Sequence, residues 1–335
     1  RQVAKLGADK LILLDSNEFS LYAIKKEIES LGSKTRLFSI LSDVKNKKRI
    51  REVLQAFKVE TIYHAAAYKH VPLVEENPFE GVSNNIFGTL ACAEAAQEAN
   101  VETFVLISTD KAVRPTNIMG ATKRFSEMIL QALSEDKEIK SNTRMTMVRF
   151  GNVLGSSGSA IPLFQQQIKD GGPVTVTNPE IIRYFMSIPE AAELVIQAGA
   201  MGKGGDVFVL DMGEPVKILE LAKRLIRLSG LELRDKDNPK GDIEIVFTGL
   251  RPGEKLYEEL LIGDSVNKTK HEQIYRAEED YLSKEEIDKF LDSLKKAMEI
   301  NDVMSLKKIL KEVVLGFVPE KEDIDLVYIE NKRKK

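Results

Sequence analysis

The amino-acid sequence predicts an α/β protein built on a doubly wound parallel sheet, with a smaller mixed α/β lobe. Three observations predict this class. Short apolar runs of strand length alternate with stretches of helical spacing as far as Phe150, several of these runs end in polar residues, and the alternation loosens after Phe150. Such alternation is typical of a parallel sheet that helices cover on both faces, with ligands at the carboxyl ends of the strands.

The elements of the first half follow from the spacing of apolar residues. Residues 10–15 form an apolar run that ends in an acid, which predicts a buried parallel strand. Residues 20–31 predict a helix, because Leu21, Ile24 and Ile28 recur at helical spacing. The same two criteria predict strands over 35–40, 60–64, 103–108 and 143–150, and helices over 47–57, 85–100 and 121–133.

After Phe150 the predicted elements divide between two lobes. We expect the helix over 189–201 and the strand over 206–211 to return to the first lobe. The first lobe then comprises residues 1–152 plus about 186–212, and the second comprises about 153–185 and 213–335. The second lobe is predicted to contain strands over 173–177 and 243–248, and helices over 218–229, 284–298 and 303–313.

Composition excludes several classes of function. The 335 residues include 49 basic and 52 acidic side chains without a concentrated basic face, so we expect no nucleic-acid partner. Cys92 is the single cysteine and makes no spaced set with the three histidines, so we expect neither a disulfide nor a metal site. No apolar run reaches the length of a membrane span, and no signal peptide is visible. We therefore expect a cytoplasmic segment without membrane contact.

Acids at the ends of the first two strands indicate a dinucleotide site. In such folds an acid at this position binds the adenosine ribose hydroxyls. Asp15 fits this role, with Ser16 beside it, and its charge would repel a 2′-phosphate, which favours NAD over NADP. Asp43 follows the next strand, in the usual place for an adenine contact. The alternative for Asp15 is a turn residue that caps the following helix.

The glycine-rich turn that usually precedes such an acid by about 20 residues is absent from the sequence. Residues 1–7 instead have the character of the helix that this turn would open. We expect that a first strand and its glycine loop are missing. Without the backbone amides of that loop, a pyrophosphate loses its main anchor.

The segment from Ile107 to Lys123 holds the most informative residues. It leaves a predicted strand as Ser108-Thr-Asp-Lys111, turns at Pro115 and enters a helix that contains Lys123. An acid and an amine next to each other at a strand end suit proton transfer. The alternative is a surface turn whose two charges are solvated.

This segment resembles the active site of extended short-chain dehydrogenase/reductases, which have a Rossmann-like fold. There a Ser or Thr follows a strand and a Tyr-x-x-x-Lys pair lies on the next helix, whereas this sequence has Met119-x-x-x-Lys123. Methionine at this position, together with Ser-Thr-Asp-Lys, is similar to the UDP-N-acetylglucosamine 4,6-dehydratases of surface-polysaccharide and glycan synthesis. The likeness runs from residue 1 to about 315 and includes residues 14–18, 64–72, 84–89, 148–155, 183–186 and 249–255.

The resemblance implies a reaction and a set of roles. The sugar is oxidised at C4, water is eliminated across C5–C6, and the hydride returns from NAD to C6. Asp110 would exchange the hydroxyl protons, Lys111 would remove the C5 proton, and Thr109 would bind the 4-hydroxyl. Lys123 would bind the nicotinamide ribose, while the thioether of Met119 has no proton to exchange. Lys111 would need a pKa lowered by burial or nearby cations to act as a base.

Further residues of the first lobe are expected to hold the ligands. Ala65, Ala66 and Ala67 are small enough to let a dinucleotide lie against the backbone, although small residues also simply pack under helices. Lys69 is expected to contact the sugar or the pyrophosphate. Asn85 either hydrogen-bonds across the strands and shapes the floor of the substrate site, or caps the helix that begins at Ile86.

The second lobe is expected to bind the UDP-sugar. Asn152 would contact the substrate, and the resemblance implies that Arg183, Arg251 and Glu254 bind the UDP part. Guanidinium groups suit a diphosphate and a carboxylate suits ribose hydroxyls. The alternative for Arg251 is an ion pair between the lobes. His64, among apolar neighbours, is read as a core histidine.

Two other functions compete with dehydration. A nucleotide-sugar 4-epimerase shares the C4 oxidation but never eliminates water. A non-catalytic nucleotide-binding regulator would explain the absent glycine loop and Met119, but it needs no proton-transfer residues. Long members of the dehydratase branch carry membrane helices before a catalytic part, and this chain resembles that catalytic part. Because relatives pair through the helices after Asn85 and Met119, we expect a homo-oligomer with a four-helix contact.

Overall fold

The computed structural model describes residues 1–32, 34–136, 141–156, 158–259, 266–319 and 325–333. A π-helical turn (Val82–Phe87) precedes α6, and a 3₁₀ turn (Asp110–Ala112) precedes α7. In chain order, the first elements are α1 (Gln2–Lys5), β1 (Lys10–Asp15), α2 (Glu18–Ser30), β2 (Arg36–Leu41), α3 (Lys47–Phe57), β3 (Thr61–His64), α4 (Val71–Glu76), α5 (Pro78–Gly81), α6 (Gly88–Glu98), β4 (Thr103–Ile107), α7 (Ile118–Glu135) and β5 (Arg144–Arg149).

The elements after β5 are shorter on average. The predicted strands and helices are all present, with bounds shifted by a few residues at most. They continue as β6 (Asn152–Val153), α8 (Ala160–Lys169), β7 (Val174–Val176), β8 (Ile182–Arg183), β9 (Phe185–Met186), α9 (Ile188–Met201), β10 (Asp206–Leu210), β11 (Val216–Lys217), α10 (Ile218–Leu228), β12 (Leu233–Arg234), β13 (Ile243–Phe247), β14 (Val266–Lys268), β15 (Ile274–Ala277), α11 (Lys284–Glu299), α12 (Val303–Val313) and α13 (Leu326–Arg333).

The main sheet has the strand order β14-β15-β10-β5-β4-β3. Strands β3, β4, β5 and β10 are parallel, while β15 and β14 continue the sheet in antiparallel pairing. Strands β1 and β2 form a separate parallel pair.

Helices cover both faces of the main sheet, which confirms the predicted doubly wound class. Side chains of a strand alternate between faces, and in β4 Phe104 and Leu106 join the core under α6 and α7. Val105, between them, joins the opposite core under α9, together with Phe208 of β10. The apolar runs of the sequence thus reflect strands that are buried on both sides.

Helices α11 and α12, which the sequence assigned to the smaller lobe, pack against α7 in the helical layer of the main sheet. Leu291 and Leu306 are buried in the same core as Phe125 of α7, because the apolar stripes of both helices face α7. All residues of α7 from Ile118 to Leu133 are buried within the single chain. Helix α7 therefore has no exposed face for the expected four-helix contact between copies. The domain boundaries and the formation of a homo-oligomer stay predictions.

A smaller sheet forms a second layer. Strands β12, β13 and β7 are parallel, and α8 and α10 cover them. Phe164, Val174, Ile226 and Ile243 belong to its core. Among the helices in the described ranges, none is both long and apolar enough to cross a membrane.

A buried ion network joins β5, α7 and the segment after β15. Arg149, fully buried, donates to both carboxylate oxygens of Glu127 and also pairs with Glu279. Arg124 pairs with the same two acids, and Ser108, at the end of β4, donates to Glu127. Burial alone would raise the pKa of Glu127, but Arg149 and the other donors lower it, so the carboxylate stays charged.

We predict that Glu127→Ala strongly destabilises the protein, because it leaves the buried Arg149 short of an anion. Removing one member of a buried pair typically costs about 3–5 kcal/mol. The matched control is Glu98→Ala, which breaks exposed pairs with Lys47 and Arg51 and should cost less than about 1 kcal/mol. Urea unfolding of both variants measures the difference. Equal losses would show that the buried network does not stabilise the fold.

Candidate active site

The Thr109–Asp110–Lys111 segment is held at the carboxyl edge of the main sheet. Directly after β4, Ser108 N donates to Val148 O and Asp110 N donates to Phe150 O, which extends the pairing with β5 past the end of the strand. The chain then enters the 3₁₀ turn, whose first amide, Lys111 N, is capped by the Thr109 hydroxyl. The backbone of the turn is thereby fixed at the edge where ligands of such sheets bind.

The acid and the amine lie in direct contact. Nζ of Lys111 is 3.0 Å from Oδ1 of Asp110, which also accepts a hydrogen bond from Thr109 Oγ1 at 2.8 Å. Asp110 is 1% exposed, and within the described ranges its Oδ2 has no hydrogen-bond partner. Lys111 Nζ also donates to Oδ1 of Asn152 at 3.4 Å. Such a pair is not the solvated surface turn of the alternative reading.

Two glycines let other segments approach this pair. A Cβ on Gly120, in the first turn of α7, would lie 2.2 Å from the carbonyl oxygen of Lys111. A Cβ on Gly151 would lie 3.3 Å from Oδ2 of Asp110. The first approach excludes any side chain and the second is tighter than usual, so glycine at these positions lets α7 and the chain after β5 pack against the turn.

The loop after β13 docks on the start of α7 through Gly253. The Thr116 hydroxyl and the Asn117 side-chain nitrogen both donate to the Gly253 carbonyl, and the Asn117 side-chain oxygen caps α7 by accepting from Gly120 N. A Cβ on Gly253, whose φ is +72°, would lie 2.7 Å from Cβ of Asn117. The segment that follows Gly253 then brings Glu258 to Lys111.

Glu258 is the residue that the sequence analysis missed. Its Oε1 lies 3.6 Å from Nζ of Lys111 and 3.8 Å from Nε of Arg183, and its side chain is 3% exposed. Among the described residues, Oε2 has no hydrogen-bond partner. The signal in the sequence was its place just after the Arg-Pro-Gly-Glu-Lys motif that ends at Lys255.

The structure does not give Lys111 the lowered pKa that a base near neutrality would need. Burial would lower the pKa of its ammonium, but the carboxylates of Asp110 and Glu258 outweigh burial and raise the pKa above its ordinary value. Arg183 opposes this change only weakly. In this state Lys111 therefore rests as an ammonium ion at neutral pH, and it must lose a proton before it can act as a base.

Lys123 and Met119 lie one turn apart on α7 in different surroundings. The ammonium of Lys123 donates to the carbonyl of Ile107, and burial lowers its pKa to about 8. Met119 is 3% exposed and packs in the hydrophobic core. His64 is buried and hydrogen-bonds Thr89, with its pKa lowered to about 3 by burial and by the charge of Lys123. His64 is thus a core residue, as expected.

Asn85 fastens the loop after β3 to α7. Its side chain accepts from Tyr68 N, donates to Tyr68 O and donates to the Thr122 hydroxyl. Asn85 lies inside the π-helical turn, so the reading as a helix cap is wrong. These hydrogen bonds to protein groups occupy the side-chain amide of Asn85. The role of Asn85 as a substrate ligand stays a prediction. Residues 65–67 in the same loop, all alanine, form a tight turn in which Ala67 N donates to Ala65 O.

The predicted dinucleotide residues lie at the exposed ends of β1 and β2. Asp15 is exposed and accepts from Asn17 N, while Asn17 itself caps α2. The reading of Asp15 as the helix cap is therefore wrong, because it holds the capping residue instead. Ser16 is exposed beside it, and Asp43 is exposed with Oδ1 bonded to Lys45 N.

The remaining predicted substrate residues divide into a buried group and an exposed group. Arg183 is buried and donates to Glu254 and to the Lys255 carbonyl, so these predicted ligands contact each other. Asn152 contacts Lys111 as described above. Arg251 is exposed, as is Lys69, whose pKa is lowered by partial burial. Among the described residues, no group of three or more His, Cys, Asp or Glu side chains is arranged to hold a metal ion.

The family follows from comparison with known proteins. A family model described as polysaccharide biosynthesis protein matches residues 1–279. The chain is 53% identical to the capsular polysaccharide biosynthesis protein CapD of Staphylococcus aureus over 313 residues, which are 93% of this chain and 50% of CapD. The chain belongs to this polysaccharide biosynthesis family. It is an extended short-chain dehydrogenase/reductase, as predicted, and it spans about half the length of CapD.

Two further relatives differ in name. The chain is 41% identical over 315 residues to the uncharacterized membrane protein MJ1061 of Methanocaldococcus jannaschii, covering 93% of this chain and 91% of that protein. It is 36% identical over 228 residues to the UDP-glucose 4-epimerase of Rickettsia rickettsii, covering 68% of this chain and 63% of that protein.

Solved structures confirm the Rossmann-like fold. The structure of Pen from Bacillus thuringiensis superposes with a TM-score of 0.71 at 32% identity, covering 82% of this chain and 81% of that chain. DesIV of Streptomyces venezuelae, a dTDP-glucose 4,6-dehydratase with NAD and TYD bound, gives a TM-score of 0.63 at 21% identity, covering 77% of this chain and 82% of that chain. The second likeness shows the fold alone.

Lys123 gives stability a pH dependence whose sign follows from its burial. Its pKa is about 8 in the folded protein against an ordinary 10.5. Below pH 8, Lys123 carries its proton in both the folded and the unfolded protein, and its buried charge destabilises the fold. Between pH 8 and 10.5 the unfolded protein binds more protons than the folded protein, so the destabilisation by Lys123 disappears as pH rises. We predict that the free energy of unfolding, relative to Lys123→Met, rises by about 3 kcal/mol over this window.

Urea unfolding of the wild type and of Lys123→Met at a series of pH values measures this difference. Because only the difference between the two proteins is used, the other titrating groups cancel. A difference that stays constant from about pH 7 to 11 would show that Lys123 keeps its ordinary pKa in the fold.

Proposed function

We propose that this protein dehydrates UDP-N-acetylglucosamine to a UDP-4-keto-6-deoxy sugar for surface polysaccharide or glycan synthesis. One observation carries the proposal: a buried acid, Asp110, and a part-buried amine, Lys111, in contact at the carboxyl edge of the sheet. The methionine at the usual tyrosine position lies in the core and has no exchangeable proton. A cytoplasmic location and a homo-oligomer are part of the same proposal.

The chemistry of the side chains fits elimination of water. Oxidation of C4 to a ketone acidifies the C5 proton, after which water can leave across C5–C6. Asp110, with one carboxylate oxygen unpartnered, is suited to take the 4-hydroxyl proton and return it to the departing 6-hydroxyl. The amine of Lys111 is the base for C5, and Thr109 is positioned beside Asp110 to bind the 4-hydroxyl.

NAD, when bound, supplies the acceptor and the donor of the hydride. The residues at the proposed cofactor site suit this group. Asp15, whose exposed carboxylate ends β1, would bind the adenosine ribose, with Ser16 beside it and Asp43 near the adenine. The alanines at 65–67 place no bulky side chain over the backbone after β3. Lys123 would donate to the nicotinamide ribose and add positive charge beside the reacting carbon.

The nucleotide part of the substrate would lie against the second lobe. Arg183 offers a guanidinium to the diphosphate and Glu254 a carboxylate to the ribose, with Arg251 exposed next to them. Asn152 and Lys69 would contact the sugar side of the ligand, and Asn85 would support the floor of the site through its bonds to Tyr68.

A nucleotide-sugar 4-epimerase is the second candidate. The Rickettsia relative that bears this name favours it. An epimerase needs a group for the 4-hydroxyl but no base for C5, so the contact between Asp110 and Lys111 favours elimination. Mass spectrometry of UDP-N-acetylglucosamine treated with the full-length protein and NAD separates the two, because loss of one water occurs only in dehydration.

We predict that Asp110→Asn and Lys111→Met each abolish dehydration while the fold stays intact. Loss of a positioned acid or base typically lowers kcat by about 10²- to 10⁴-fold. The matched control is Lys47→Met, which removes an exposed lysine that pairs with Glu94 and should leave turnover unchanged. Product formation is followed by mass spectrometry and the fold by circular dichroism. Near-normal turnover in both active-site variants would refute the assignment.

We also predict that Asp15→Ser weakens the preference for NAD over NADP. The substitution removes both the acceptor for the ribose hydroxyls and the charge that repels a 2′-phosphate. Loss of hydrogen bonds to a charged group corresponds to about a tenfold or larger fall in NAD affinity. Asp9→Ser, at the other end of β1 and paired with Arg36, is the control. Calorimetry with both cofactors measures the ratio, and an unchanged ratio would remove Asp15 from the site.

A further inference from the structure

Glu258 has no part in the reaction as proposed above, yet it lies against the amine that the reaction needs. Its side chain is 3% exposed, with Oε1 3.6 Å from Nζ of Lys111. The other oxygen, Oε2, accepts no hydrogen bond from any described residue. A buried carboxylate oxygen without a donor is costly. The Glu258 carboxyl group is also close enough to the Lys111 ammonium and to the Asp110 carboxylate to interact with both charges.

The proposed function, on which this inference rests, requires one more proton acceptor than Asp110 and Lys111 provide. Asp110 must accept the proton of the 4-hydroxyl, so it cannot hold another. Lys111 rests as an ammonium ion because Asp110 and Glu258 raise its pKa. It must lose one proton before it can take the proton from C5. That proton needs an acceptor near Nζ, and among the described residues Glu258 is the carboxylate besides Asp110 that pairs with Nζ.

We propose that Glu258 is the proton acceptor that converts Lys111 into a free amine. One N–H bond of the Lys111 ammonium breaks and one O–H bond forms on Glu258, so an ion pair becomes an amine and a neutral carboxylic acid with no change in total charge. The amine takes the C5 proton during elimination and later returns it to C5. Glu258 acts through Lys111 and need not touch the sugar.

The charges around Glu258 couple the proton transfer from Lys111 to substrate binding. Burial raises the pKa of Glu258 and Asp110 adds to this, while Lys111, Arg183 and Lys255 oppose it. A diphosphate bound to Arg183 would compensate the guanidinium charge, which lies 3.8 Å from Glu258. The carboxyl group would then gain affinity for the proton. Substrate binding and activation of the base are coupled in this way.

The decisive variant is Glu258→Gln, because the two explanations of Glu258 predict opposite signs. As a proton acceptor, its loss should lower kcat at least about 100-fold with KM nearly unchanged. As a mere neighbouring charge, its loss would lower the pKa of Lys111 and make the amine more available. Turnover equal to or above the wild type, with the pH profile shifted to lower pH, would therefore overturn the proposal.

Two further variants complete this experiment. Glu258→Asp keeps the acid and is expected to recover much of the turnover that the glutamine variant loses. Glu259→Gln is the matched control, because Glu259 is the next residue and its side chain is 40% exposed, paired with Arg114 and Lys255. It should retain wild-type turnover and pH dependence.

A measurement on the wild-type protein tests the proton transfer without turnover. Infrared difference spectra with UDP as the ligand should show the carbonyl band of a protonated carboxylic acid, and Glu258→Gln should lack this band. UDP binding without the band, or a band that persists in the variant, would overturn the proposal whatever the reaction is. If the band is present but UDP-N-acetylglucosamine loses no water, the proposed function fails and the proton transfer stands.

Discussion

The contact between a buried acid, Asp110, and a part-buried amine, Lys111, determines how the surrounding side chains of the site are arranged. Charges are stable in a protein interior only when partners and hydrogen bonds replace water. Asp110 and Lys111 form an ion pair, the Thr109 hydroxyl donates to Asp110, and Glu258 brings a second carboxylate to Lys111. The close packing at Gly120 holds this turn against α7. If this turn were packed less closely, water would reach the side chains of Asp110 and Lys111 and weaken the interaction between their charges.

Much of the fold could be predicted because strands and helices leave periodic patterns. The helix over 47–57 begins and ends as predicted, since Asn46 caps it and its apolar side chains recur at helical spacing. The position of α11 and α12 could not be predicted. An apolar stripe shows that a helix is buried, but not which surface buries it, and here that surface is α7.

The site was predictable only in part, for a similar reason. The order of residues places Asp110, Lys111 and Lys123 at a strand end and on the following helix. Contacts between distant segments leave no such local trace. Glu258 reaches Lys111 because a loop far along the chain docks on α7 through Gly253. Asp110, beside Lys111 in the sequence, and Glu258, brought in by that loop, together raise the pKa of Lys111, and the second of these contacts could not be predicted from the sequence.

In the proposed reaction, the site eliminates water while the hydride removed from C4 of the sugar goes back to a different carbon. Deuterium at C4 of UDP-N-acetylglucosamine follows that hydride directly. We predict that nuclear magnetic resonance of the product finds the deuterium at C6 of a 4-keto-6-deoxy sugar. Deuterium that returns to C4 of an intact sugar would contradict it, because the acid and amine pair would then serve no elimination.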